Sequence, residues 1–197
     1  MTLRRPAAEN LQPKAFKFSD SNLAQIEDII NKYPVGKKAS AILPVLDLAQ
    51  RQNDNWLSLA AIKVVSEILE MPMIKILEIV TFYTMYNLSP VGKHVLQVCT
   101  TTPCWLRGSD EIYRSCKEKL SINFGETTDD RKFTLMEVEC LGACANAPVV
   151  QINDNYYEDL DKESIKKIIE KLKNNLKPKH GSQSKRVGSE PLSEKEL

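Results

Sequence analysis

The apolar positions up to about residue 90 recur with the 3.6-residue period of amphipathic helices. Leu23, Ile26, Ile29, Ile30 and Tyr33 fall on one stripe behind Ser19, Asp20 or Ser21 as N-cap, and Pro34 and Gly36 end it. A second stripe runs through Ile42, Val45, Leu46 and Ala49, with Pro44 near its start or at a kink. The third helix is capped at Ser58 and carries Leu59, Ile62, Val65 and Leu69; the fourth starts near Pro72 and packs Met73, Ile76, Leu77, Val80 and Tyr83. Beyond Asn87–Gly92 the period shortens. His94–Val98 reads as a buried strand that delivers the chain to Cys99, residues 108–120 as a helix, and Phe133–Val138 as a strand that leads into Cys140. A third strand follows at Pro148–Ile152, then a turn at Asn153–Asn155, a short strand at Tyr156–Tyr157 and a helix from Lys162 to Leu176.

This order predicts an α+β chain: a small helical bundle, then a βαβ unit and a ββα unit in the arrangement of a thioredoxin-like α/β domain. The boundaries follow as an N-terminal extension over 1–18, the bundle over 19–88, the α/β domain over 89–176 and a tail over 177–197. That tail is rich in Lys, Ser, Glu and Gly and is expected to be disordered. Phe82, Tyr83 and Tyr86 read as core or as a docking face.

Composition narrows the function. Among 197 residues, 27 Lys and Arg nearly cancel 26 Asp and Glu, so no bulk positive field exists to hold nucleic acid. No window approaches the run of about 20 apolar residues that spans a bilayer, and Met1–Asn10 lacks the apolar stretch of a secretory signal. The expectation is a soluble intracellular protein without direct membrane insertion. Arg4 and Arg5 hint at a mitochondrial presequence remnant, which Glu9, Asp20 and two prolines argue against.

Five cysteines in such a chain point to metal rather than disulfides. Cys116 sits on the apolar face of the helix near Ile112, Tyr113 and Leu120 and reads as a small buried hydrophobe. The other four form two pairs, Cys99-x4-Cys104 and Cys140-x3-Cys144, 35 residues apart between Cys104 and Cys140. Structural zinc favours two residues between ligands, whereas the longer [2Fe-2S] rhomb takes two thiolates per iron and suits wider gaps. Thr100–Pro103 and Leu141–Ala143 offer hydroxyl and N–H groups to the sulfurs. Spacing by itself leaves three readings open: [2Fe-2S], a zinc-stapled interaction module and a catalytic dithiol. The only histidines, His94 and His180, lie outside both cysteine loops, which speaks against a Rieske site.

In combination, Cys99-Thr-Thr-Thr-Pro-Cys104, Cys140-Leu-Gly-Ala-Cys144 followed by Ala145-Asn-Ala-Pro148, Thr81–Tyr86 and Pro90-Val-Gly92 closely resemble the 24 kDa (E) subunit family of respiratory complex I over roughly residues 15–175. The resemblance implies a thioredoxin-like ferredoxin domain with one [2Fe-2S] cluster on Cys99, Cys104, Cys140 and Cys144. It also implies one-electron exchange with FMN on a partner flavoprotein that binds NADH, within the peripheral arm of an NADH:quinone oxidoreductase. The place would be the cytoplasmic side of a bacterial inner membrane or the matrix side of the mitochondrial one. The absence of a G-x-G-x-x-G motif argues that neither NADH nor FMN is bound by this chain alone. A diaphorase ferredoxin subunit of a soluble NAD-linked hydrogenase or formate dehydrogenase is the related alternative.

Overall fold

The structure, a computed structural model, describes residues 5–186. The chain divides into two compact units between Val91 and Gly92.

The first unit contains four helices: α1 (Asp20–Ile30), α2 (Ile42–Gln52), α3 (Leu59–Leu69) and α4 (Met73–Phe82). Ser19 and Ser58 cap α1 and α3 by accepting the Asn22 and Ala61 amides. Pro44 stands in the first turn of α2, where its missing N–H costs no helical bond. Ile26, Val45, Leu46, Ala49, Ile62, Val65, Leu69, Ile76 and Val80 form one core, as their periodicity requires.

Two expectations change in this unit. Phe18 is buried in the core, Phe16 packs against it edge to face, and the Ala7 amide donates to the Leu88 carbonyl at 2.8 Å. The described part of the extension, residues 5–18, therefore belongs to the unit; residues 1–4, Arg4 among them, lie outside the described residues. Of the aromatic group, Tyr86 is buried and donates to the Leu43 carbonyl at 2.9 Å, while Tyr83 follows the end of α4 and is exposed together with Phe82.

The second unit is a five-stranded sheet with helices α5 (Thr102–Leu106), α6 (Ser109–Leu120) and α7 (Lys162–Lys173). Its strands β1 (His94–Cys99), β2 (Phe133–Val138), β3 (Val150–Ile152), β4 (Asn155–Glu158) and β5 (Gly181–Ser182) lie in the order β2-β1-β3-β4-β5. β1 and β2 are parallel, in a register that sets Cys99 beside Val138. β3 runs antiparallel to β1 and forms a hairpin with β4. Leu96, Val98, Phe133, Leu135, Val150, Ile152 and Tyr157 make one core with Ile112 and Cys116 of α6 and Ile165, Ile168 and Ile169 of α7. Asp161 and Ser164 close a reciprocal cap at the start of α7.

Periodicity misses α5 and β5, which are five and two residues long and too short to show a period. The fourth strand extends one residue beyond Tyr156–Tyr157 at each end, and α7 ends at Lys173 rather than Leu176. Residues 177–186 are also ordered, contrary to the expected disorder. Gly181–Ser182 joins the sheet beside Tyr157–Glu158, because backbone pairing at an open sheet edge needs no apolar side chain. The remainder of the expected tail, residues 187–197, lies outside the described residues.

Gly92 shows how closely the sheet is built at its entry. Its amide donates to Thr134 Oγ1 at 2.6 Å, and a Cβ at this position would lie 2.6 Å from the Phe133 backbone. Since backbone cannot rotate away as a side chain can, Gly92→Ala is expected to lower stability by about 1–3 kcal/mol, read from the urea unfolding midpoint.

Candidate metal centre

β1 and β2 run in the same direction, so the chain leaves both at the same edge of the sheet. Cys99 is the last residue of β1, and Cys104 lies in α5 after a turn through Thr100 and Thr101. Cys140 lies two residues beyond β2, and Cys144 opens the 3₁₀ turn Cys144–Asn146. β3 returns antiparallel to this edge, where the Cys99 amide donates to the Val149 carbonyl at 3.2 Å. Cys99, Cys104, Ala143, Ala147 and Val149 form a small core of their own, with Leu141 and Tyr156 packed against it. Electrostatic interaction of Cys99 with Cys140 and of Cys104 with Cys144 places the two pairs near one another, while Cys116 lies in the core beneath α6.

The thiols stand as two pairs. Cys140 and Cys144 have their sulfurs 3.3 Å apart, and Cys104 hydrogen-bonds Cys99. Among the described residues no three His, Cys, Asp or Glu side chains converge as a ligand set for a single ion. Backbone amides face the sulfurs: Leu141 N–H is directed at Cys99, Val149 N–H at Cys104 and Gly142 N–H at Cys140, the last at 3.4 Å. The Thr101 hydroxyl lies 3.2 Å from Cys99 Sγ. Gly142 has a φ of +84°, a left-handed conformation that suits glycine and turns its amide back to Cys140.

These contacts divide the protons unequally. Burial pushes the Cys99 thiol up, but hydrogen bonds from Thr101, Cys104 and the Leu141 amide outweigh it and the net direction is down. Burial, and the hydrogen bond that Cys104 gives to Cys99, push Cys104 up to about 12. In the outer pair the Gly142 amide and the Cys144 thiol lower Cys140, while its bond to Cys140 raises Cys144. Each pair therefore holds one sulfur that gives up its proton more readily and one that acts as its donor, and metal binding would expel the protons that remain. The inner pair is buried and the outer pair is exposed.

Several supporting residues escaped the sequence reading. Tyr156 donates its hydroxyl to the Leu141 carbonyl at 2.8 Å, fixing the Leu141–Gly142 peptide whose N–H is given to Cys140. Asn146, Asp159 and Arg186 surround the turn after Cys144. No local motif marks them, because they meet only through the fold. Sequence did indicate the Thr100–Pro103 and Leu141–Ala143 donors.

Reactivity follows from these protonation states. In the cluster-free protein at neutral pH, iodoacetamide is expected to label exposed Cys140 first. Cys116, fully buried and pushed up by burial to about 12, is expected to react last, with Cys104 slow until the pH becomes strongly alkaline. Peptide mass spectrometry over time checks the order.

The residues fit a binuclear iron–sulfur group by donor chemistry: four thiols in two pairs, amides aimed at the sulfurs, and small side chains around them. Comparison with known proteins agrees. The chain is 63% identical over 159 residues to the E subunit of the NADH-quinone oxidoreductase of Rickettsia bellii, covering 81% of this chain and 95% of that protein. It is 48% identical over 182 residues to the mitochondrial NADH dehydrogenase [ubiquinone] flavoprotein 2 of Dictyostelium discoideum, covering 92% and 74%. A crystal structure of an NAD+-reducing [NiFe]-hydrogenase in the H2-reduced state matches at a TM-score of 0.60 and 22% identity, over 68% of this chain and 23% of that one, a likeness of fold. The family model described as thioredoxin-like [2Fe-2S] ferredoxin matches residues 26–173. The arrangement of strands, loops and thiols and the extent of this match lead to one conclusion: the chain belongs to the thioredoxin-like [2Fe-2S] ferredoxin family.

Proposed function

We propose that this chain is the iron–sulfur electron carrier of an NADH:quinone oxidoreductase, with Cys99, Cys104, Cys140 and Cys144 as ligands of one [2Fe-2S] cluster. The observation that carries the reading is the meeting of two amide-supported thiol pairs at one sheet edge, in a chain this similar to the Rickettsia oxidoreductase protein. When bound, the cluster accepts and gives up one electron at a time. The residues of this chain hold it in place. The buried pair anchors one side, the Leu141, Gly142 and Val149 amides offset negative charge on sulfur, and the exposed pair faces the surface across which electrons pass.

NADH and FMN belong to a partner flavoprotein in this reading, since no G-x-G-x-x-G motif occurs in the sequence. Exposed Ile74, Phe82 and Met85 on the first unit support a docking role for it. The chain would then be a peripheral component on the cytoplasmic side of a bacterial inner membrane, or its matrix-side equivalent. No helix among the described residues is long and apolar enough to cross a membrane.

Purified protein is expected to contain two irons and two acid-labile sulfides per chain and to give an EPR signal on reduction. Alanine at any of Cys99, Cys104, Cys140 or Cys144 should abolish or destabilise that signal, whereas Cys116→Ala should retain it. Colourless protein with stoichiometric zinc, or a fully assembled cluster in Cys140→Ala, would overturn the assignment. For docking, Phe82→Asp in the full chain is expected to weaken binding to the flavoprotein about tenfold or more, as loss of a buried aromatic anchor does, in a titration of the two purified proteins. Unchanged affinity would refute a role for this face.

A further inference from the structure

Asp159 is an unusual carboxylate. It follows β4 in a left-handed backbone conformation, with φ of 51°, and its side chain is only 5% exposed. A charge so withdrawn from water is costly unless donors surround it, and they do. Oδ2 accepts from Asn146 Nδ2 at 2.9 Å and from Ser182 Oγ at 2.6 Å, and Oδ1 faces Arg186 Nη1 at 3.1 Å. The Asp159 amide donates to the Asn146 carbonyl at 2.7 Å.

The second arm of Arg186 reaches the other side of the same turn, where Nη2 donates to the Ala145 carbonyl at 2.8 Å. The two residues immediately after Cys144 are thus held at both carbonyls and at the Asn146 side chain. That turn is three residues long and has no side-chain cap of its own. Ser182 and Arg186 come from the segment added to the sheet as β5, where the Gln183 amide also donates to the Glu158 carbonyl at 2.9 Å and the Arg186 amide to Ser182 Oγ at 3.0 Å. This segment lies beyond residue 173, where the family match ends.

We propose that residues 181–186 form a strap that positions Cys144, acting through the buried Asp159 on Asn146 and through Arg186 on Ala145. The proposal rests on Cys144 being a cluster ligand. None of the strap residues is a ligand or a catalytic residue; they are positioning residues that keep this exposed sulfur in one orientation. A guanidinium is suited to the task because its planar fork satisfies a carboxylate and a carbonyl together, which one ammonium cannot do in the same geometry.

The test uses the full chain with its cluster reconstituted from ferrous iron and sulfide. Wild type is compared with Arg186→Ala, Asp159→Asn, Arg186→Lys and the control Lys185→Ala, by EPR of the reduced state and by the rate of iron loss to a chelator. Arg186→Ala and Asp159→Asn are expected to shift or broaden the EPR signal and to release iron about tenfold faster, the usual scale for loss of a group supporting a metal ligand. Arg186→Lys should be intermediate and Lys185→Ala unchanged. EPR spectra indistinguishable from wild type in Arg186→Ala would overturn the proposal, even with faster iron loss, because the segment would then be only a cover. If Asp159→Asn does not fold, Arg186→Ala decides, since that side chain is half exposed. A wild-type chain without iron would overturn the cluster reading and the strap with it, and the iron count separates that result from failure of the strap alone.

Discussion

The parallel pairing of β1 with β2 is the constraint on which the site depends. Parallel neighbours need a crossover of a dozen or more residues, and residues 100–132 between β1 and β2 supply one. Because both strands run the same way, each ends at the same edge and each continues into a cysteine loop. Antiparallel strands of this length would have separated the two pairs by about 20 Å, six residues at roughly 3.3 Å each. The core beneath α6 and α7 maintains this register, since a slip of one residue would turn Leu96 and Val98, or Phe133 and Leu135, away from it.

The loops then refine what the strands bring together. Thiolates brought close together would repel one another, and the fold directs backbone amides at the sulfurs of Cys99, Cys104 and Cys140. Backbone donors are held by the strands and turns themselves, so they require no ordering when charge arrives. Tyr156 extends the principle by fixing, from the neighbouring hairpin, the Leu141–Gly142 peptide whose N–H faces Cys140. The burial of one pair and exposure of the other give the site an inside and an outside, which an electron carrier requires if it is to be both stable and reachable.

Asp159 adds a charge that its surroundings must compensate. Its donors come from the cysteine loop and from the segment after α7, so the carboxylate links two stretches of chain that neither apolar packing nor local sequence would bring together. Buried ion pairs are weak evidence for stability but act well as devices of specificity, because a misplaced partner leaves a charge unsatisfied. The order of residues 177–186 follows from pairing at the sheet edge and from this compensation.

Hydrophobic period alone determined the helical first unit, the strands that lead into Cys99 and Cys140, and the burial of Cys116, since each rests on side chains close in sequence. Cysteine spacing with its flanking residues pointed to the family. Tertiary structure decided that Phe18 belongs to the first core, that α5 follows the first cysteine, and that the segment near Ser182 closes the sheet. It also chose which amide faces which sulfur and drew Tyr156, Asp159 and Arg186 to the loops. The physical reason is range: periodicity records the pressure to bury an apolar face within one element. Hydrogen bonds between residues 13 to 41 positions apart, such as Asn146 to Asp159 and Arg186 to Ala145, exist only once the sheet has set the distances between them.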